Sequence, residues 1–228
     1  MLYSIQYKEH RTSVLLEVTI MLYQYLSENY KPNQPIFMSD ISLPNVKENN
    51  LRQMFKTLCD SGQLKRYDTG IYYIPTVSRL RGGQTLAPST VAQYKYVARN
   101  GLVEGYCSGF TFANQLGLTT QVPYTMEIVS NNAGAKYREV SLKGLRVILR
   151  KARTTVNSEN CTVLQFLDLL KDIDQYSDEQ PSEVGRIIAD YVRKAGITKE
   201  KIDPYLQLYP DKLFRSIYEM GLYNVLAQ

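Results

Sequence analysis

The stretch NVKENNLRQMFKTLCDSGQLKRYDTGIYYIP, residues 45–75, decides how this chain is read. Leu51, Met54, Phe55 and Leu58 recur at i, i+3, i+4 and i+7, the spacing that lines four apolar side chains along one face of an α-helix. That face must pack inward. At about 100° per residue, the opposite face then carries Asn49, Arg52, Gln53, Lys56 and Thr57, all polar. Asn45 and Glu48 have the spacing of a capping box, which sets the expected helix start at Asn45, and Gly62 ends the helix. Beyond it, residues 63–75 read as two short strands turning at Asp68-Thr69-Gly70, with Ile71, Tyr73 and Pro75 alternating against Tyr72 and Ile74.

Working outward, Leu15, Val18, Leu22 and Leu26 recur at helical spacing between Arg11 and Asn29, with Val14, Met21 and Tyr25 broadening the stripe. The segment KPNQP (31–35) breaks that helix, and a short helical turn is expected around Met38 to Ile41. Helix, short helix, polar-faced helix and hairpin make a winged helix-turn-helix. Downstream, residues 76–87 are rich in Gly, Ser and Thr and read as a linker. Pro88 to Asn100 suits a helix, and Gly105-Tyr106-Cys107-Ser108-Gly109 suits a tight strand-to-helix junction leading to a short helix ending at Leu116. Strands are expected over Tyr124–Ser130, 138–142 and 146–150, the last two hinged at Lys143-Gly144. The remainder is helical, with apolar stripes over 163–173 and 184–195 and a final helix from Pro210 to Met220.

The fold class expected is therefore α+β: an N-terminal winged helix-turn-helix, a middle α/β domain with a small sheet, and C-terminal helices. The expected domains are 1–76, 77–155 and 156–228. Charge follows the same divisions. Residues 1–80 hold nine cationic and seven anionic side chains, residues 81–155 hold ten and three, and residues 156–228 hold eight and twelve. A concentrated positive field suits a polyanion, and phosphate backbones are the commonest one in a cell.

Several classes of function find no support. Cys59, Cys107 and Cys161 lie far apart without CxxC spacing, and His10 is the single histidine, so neither a zinc site nor a disulfide framework is expected. The start MLYSIQYKEH lacks an apolar leader core and no run approaches a membrane span, so a cytoplasmic protein without membrane contact is expected. Catalysis lacks its parts: no second histidine, no GxSxG, no phosphate-binding loop. In GYCSG, Ser108 is not at the middle position of a nucleophile elbow, and Cys107 reads as a small buried hydrophobe. Neither an enzyme nor a cofactor is expected.

What remains points to nucleic acid. A major groove roughly 12 Å wide admits an α-helix, and Arg, Asn and Gln read base edges through paired hydrogen bonds, so Asn49, Arg52, Gln53, Lys56 and Thr57 are the candidate reading face. Lys65, Arg66 and Tyr67 on the wing would grip phosphate or minor groove. A second basic surface is expected from Lys136, Arg138, Lys143, Arg146 and Arg150, with Lys151 and Arg153 beside them and only Glu139 opposing. Arg146 and Arg150 share one strand face, Val147 and Leu149 the other. Whether that surface extends a DNA contact, docks an acidic protein or is plain surface stays open at this point.

The run Leu58-Cys59-Asp60-Ser61-Gly62-Gln63-Leu64 followed by Gly70-Ile71-Tyr72-Tyr73-Ile74-Pro75 resembles the AbiEi-type antitoxins of abortive-infection systems. A second block, from Gly105 through Ser108-Gly109 and the segment 115–123 to residues 127–131, is similar to the domain that follows the winged helix in that group. The resemblance covers roughly residues 10–170. It implies an autorepressor that binds double-stranded DNA in its own promoter and counteracts a cognate nucleotidyltransferase toxin, a type IV pairing in which no stable complex is needed. A different class of function is also consistent with the residues: a protein-interaction module whose winged helix is purely structural.

Overall fold

A computed structural model describes residues 17–76, 85–121, 124–177 and 179–227. The expected first-helix start at Arg11 with Val14 and Leu15, His10, the linker stretch 77–84, and Val122 and Pro123 lie outside the described residues. The chain divides into two compact units, Met1–Ala87 and Pro88–Gln228.

In the first unit residues 17–29 are helical (α1) and bury Leu22 and Leu26, one turn apart. Strand β1 (Ile36–Phe37) leads into a 3-10 turn (Met38–Asp40), the short helical turn expected there. Helix α2 (Glu48–Asp60) buries Leu51, Met54, Phe55 and Leu58, and strands β2 (Lys65–Asp68) and β3 (Ile71–Tyr73) follow. The sheet order β1-β3-β2, antiparallel throughout, completes the winged-helix arrangement.

Two local expectations are corrected. Asn45 does not cap α2. It sits in the left-handed region at φ +62°, directly after Pro44, in a turn closed by the Val46 N–H donating to the Leu43 carbonyl at 3.2 Å. Proline followed by a positive-φ Asn is type II turn chemistry, so the helix starts three residues later at Glu48. The alternation expected along β3 is absent as well, since Ile71, Tyr72 and Tyr73 are all buried. This is the central strand, and both faces of the sheet are covered: Tyr72 packs on Phe55 with ring centroids 4.6 Å apart, and Phe37, the register partner of Ile71, is buried on the other side.

The second unit opens with α3 (Pro88–Tyr96) and a two-stranded ribbon, β4 (Ala98–Arg99) and β5 (Leu102–Val103). A four-stranded sheet follows: β6 (Gly105–Cys107), β7 (Thr125–Ser130), β8 (Tyr137–Leu142) and β9 (Leu145–Lys151), with α4 (Gly109–Gln115) between β6 and β7. The order is β6-β7-β9-β8, with β7 and β9 parallel and the other pairs antiparallel. Lys143 and Gly144, both at positive φ, make the hairpin turn expected between β8 and β9.

Helices α5 (Cys161–Lys171), α6 (Pro181–Ala195), α7 (Lys199–Leu206), α8 (Lys212–Glu219) and α9 (Tyr223–Leu226) complete the chain. They do not form a domain of their own. Met126, Ile128, Val147 and Leu149 from the sheet share one buried cluster with Phe166 and Leu167 of α5, Ile188 of α6 and Leu213 of α8. The division expected at residue 155 therefore marks a change of surface charge, while the apolar stripes of the helices bury against the sheet.

Candidate nucleic-acid interface

The inward packing of Leu51, Met54, Phe55 and Leu58 turns the other face of α2 to solvent. Asn49, Arg52, Gln53 and Lys56 are all exposed there. Thr57 is half-buried, and its hydroxyl donates to the Gln53 carbonyl at 3.0 Å, so it is engaged within the helix. Arg52 pairs with Glu48 one turn earlier at 2.6 Å, with both side chains well exposed. An exposed pair of this kind contributes about 1 kcal/mol or less, so a base edge or phosphate can displace the carboxylate.

The wing is short. A two-residue loop, Thr69-Gly70, joins Asp68 to Ile71, and Gly70 takes the φ of +72° that such a turn favours in glycine. Arg66 is exposed beside it, with guanidinium nitrogens 3.3 Å from the Asp68 carbonyl and from the Thr69 hydroxyl. Lys65 is half-buried. Tyr67 is a correction: it is only 5% exposed. The register slips between Arg66 and Asp68, and the extra residue of this bulge is Tyr67, which takes no place on the wing surface. Burial pushes its phenol up from the ordinary value.

In the second unit the outer sheet face carries Arg146 and Arg150, while Val147 and Leu149 are buried beneath, as the strand alternation requires. The expectation that Glu139 alone opposes the cluster is corrected. Glu139 binds Arg146 through two hydrogen bonds, the longer 2.8 Å, and the hydrogen bond with Arg146 holds its carboxyl below the ordinary value. Glu127 of β7 meets Arg150 at 3.0 Å. Arg138 is in register with Leu149, so it stands on the opposite side of the sheet, exposed at the β8 edge. Lys136 and Lys143 are exposed at the two ends of β8.

A family model matches residues 29–189, from the end of α1 into α6. The chain belongs to DUF6088, a family of unknown function. The comparison with curated proteins gives no match. The DUF6088 match takes in α2, the wing, the whole four-stranded sheet and α5, so both candidate surfaces fall inside it.

The GYCSG junction of this DUF6088 chain has a precise packing reason. A Cβ on Gly105 would lie 2.4 Å from the Tyr96 carbonyl oxygen, and one on Gly109, at φ +58°, would meet the Glu127 carboxylate. That carboxylate accepts the Phe110 N–H at 3.2 Å while holding Arg150. Cys107 between the glycines is buried, and burial pushes its thiol up, away from the thiolate a nucleophile needs.

A buried polar network escaped the sequence reading. Asp168 of α5 is 7% exposed and accepts the Tyr106 hydroxyl at 2.7 Å. Arg153 lies 3.6 Å from the same carboxylate, donates to the Leu208 carbonyl at 2.9 Å and stacks over the Tyr209 ring at 4.8 Å. Burial, with the carboxylate beside it, holds the Tyr106 phenol far above its ordinary value. Arg153, two residues past β9, therefore ties the end of that strand to α5 and to the segment between α7 and α8. The signal available was an Asp flanked by leucines, since Asp168 sits between Leu167 and Leu169.

Among the described residues no group of three or more His, Cys, Asp or Glu is placed to hold a metal ion. No helix among them is long and apolar enough to cross a membrane. A groove of about 930 Å³ runs beside α6, its lining including Phe110, Leu118, Tyr176, Val184 and Ile187 with Glu183 and Asp190 among the polar residues.

Proposed function

We propose that the chain is a cytoplasmic, non-enzymatic DNA-binding autorepressor, in which α2 enters the major groove of a duplex upstream of its own gene. Asn49, Arg52, Gln53 and Lys56 approach the bases, and Arg66 and Lys65 hold the backbone. One observation carries this reading: α2 presents an unbroken exposed face of amide, guanidinium and ammonium groups, on the helix that a winged-helix topology projects outward. Base contacts then supply sequence choice, and the wing supplies position and salt-dependent affinity.

The resemblance of residues 58–75 and 105–131 to AbiEi-type antitoxins extends the proposal to a type IV antitoxin. The second unit then counteracts a nucleotidyltransferase toxin without a stable complex. The groove beside α6 supports a second reading, a protein-interaction module, because apolar side chains such as Phe110, Leu118 and Ile187 line it beside polar and charged ones.

A reporter fused to the region upstream of the gene tests the first part. The chain supplied in trans lowers reporter output, and Arg52→Ala/Gln53→Ala restores it; output unchanged by the wild-type chain would remove the autorepressor. Co-expression with a nucleotidyltransferase encoded beside the gene tests the second part. Growth rescued by the chain supports the antitoxin, and growth arrest that persists argues against it.

A further inference from the structure

The outer face of the four-stranded sheet holds groups that duplex reading by α2 leaves unused. Tyr137 on β8 is 52% exposed, and Tyr124, immediately ahead of β7, is 83% exposed. The register sets Thr125, the neighbour of Tyr124, opposite Arg146, and Tyr137 opposite Arg150. Both phenols lie within electrostatic reach of the Arg146 guanidinium. Residues 81–155 as a whole hold ten cationic side chains against three anionic.

Two solvated tyrosine rings beside cations form a specific combination. An unpaired base has a free π-face to lay on an aromatic ring, while its phosphate meets a neighbouring cation. A duplex keeps those faces stacked inside and can use the cations but not the rings.

We propose that this sheet face, with the adjoining start of β7, binds single-stranded nucleic acid, with bases stacking on Tyr137 and Tyr124 and phosphates meeting Arg146. This goes beyond the duplex role of α2 and does not depend on it.

The two ion pairs on the face sort its arginines. Arg150 is anchored, because its partner Glu127 is 13% exposed on its side chain and also accepts the Phe110 N–H. Arg146 is recruitable, because both it and Glu139 are open to solvent, where ion pairs are weak. A phosphate can replace the Glu139 carboxylate without disturbing the core. An acidic protein segment could use the same cations but would gain nothing comparable from the rings.

The test is fluorescence anisotropy of the full chain with labelled oligo-dT and oligo-rU of twenty nucleotides, starting at about 50 mM salt and rising. Wild type binds with affinity that falls as salt rises. Tyr124→Ala/Tyr137→Ala weakens binding about tenfold or more, as expected for lost base stacking, while Tyr124→Phe/Tyr137→Phe retains it. Glu139→Gln strengthens it. Arg52→Ala/Lys56→Ala leaves it unchanged and weakens only binding to the upstream duplex, titrated in parallel. All these side chains are exposed, and circular dichroism of each variant checks that it is folded. No salt-dependent binding of wild type to either oligonucleotide would overturn the proposal. So would binding indifferent to the tyrosine-to-alanine change, which would mark a purely electrostatic surface suited to an acidic protein. Failure of the duplex arm alone would count against α2 and leave the sheet face standing.

Discussion

Arg52 is held by Glu48 in the free protein and is the best-placed side chain on α2 for a two-pronged contact with guanine. Arg52→Ala should cost roughly 1–3 kcal/mol in specific duplex binding, while Glu48→Gln, which frees the guanidinium and removes a charge that repels phosphate, should tighten it. Anisotropy titrations of both variants against the upstream duplex check the pair of signs. Asp168 supports a prediction about stability. Asp168→Ala removes the carboxylate that accepts the Tyr106 hydroxyl and pairs with the Arg153 guanidinium, and should lower unfolding free energy by about 2–4 kcal/mol in urea denaturation. A value within error of wild type would show that the network contributes nothing net. At this scale the exposure of Asn49, Arg52, Gln53 and Lys56 was legible, because the period of 3.6 fixes both faces of a helix once one face is apolar. Tyr67 was not legible, since a bulge is a property of two paired strands. Nor was Asp168, whose acceptor role depends on a tyrosine 62 residues away.

Among elements, periodic helices and the β8–β9 hairpin were readable because their patterns are local: Val147 and Leu149 against Arg146 and Arg150, with Lys143-Gly144 as the turn. The start of α2 was misplaced because Asn45 fits two local motifs. Pro44 before it favours the turn over the cap, and the turn won. The sheet order β6-β7-β9-β8 was beyond local pattern altogether, since the β7–β9 pairing skips a strand. The β6–α4 junction gives a direct check on packing. Gly109→Ala puts a Cβ into the Glu127 carboxylate at a positive φ and should destabilise the fold by at least about 1–3 kcal/mol. Gly134, which has nothing within 4 Å of the same added atom, serves as the control, and Gly134→Ala should be near neutral in the same thermal melts.

Across the whole molecule, surface charge and core organisation follow different boundaries. The chain changes from basic to acidic near residue 155, yet the buried cluster runs from Ala92 to Leu226 without a break there. Charge sits on the surface and reports partners; the apolar stripes decide what folds together. The α+β class and the winged helix followed from those stripes, and the grouping of sheet and tail did not, because an amphipathic helix shows that it buries a face without showing against what. The measurement that bears most directly on α2 as a DNA-reading helix is a salt series of binding to the upstream duplex and to a scrambled duplex, using wild type and Arg52→Ala/Gln53→Ala/Lys56→Ala. The expected result is a preference for the upstream duplex of about 10³-fold or more, log affinity falling linearly with log salt, and loss of the preference in the variant. Equal weak binding to both duplexes, unchanged by the three substitutions, would contradict it.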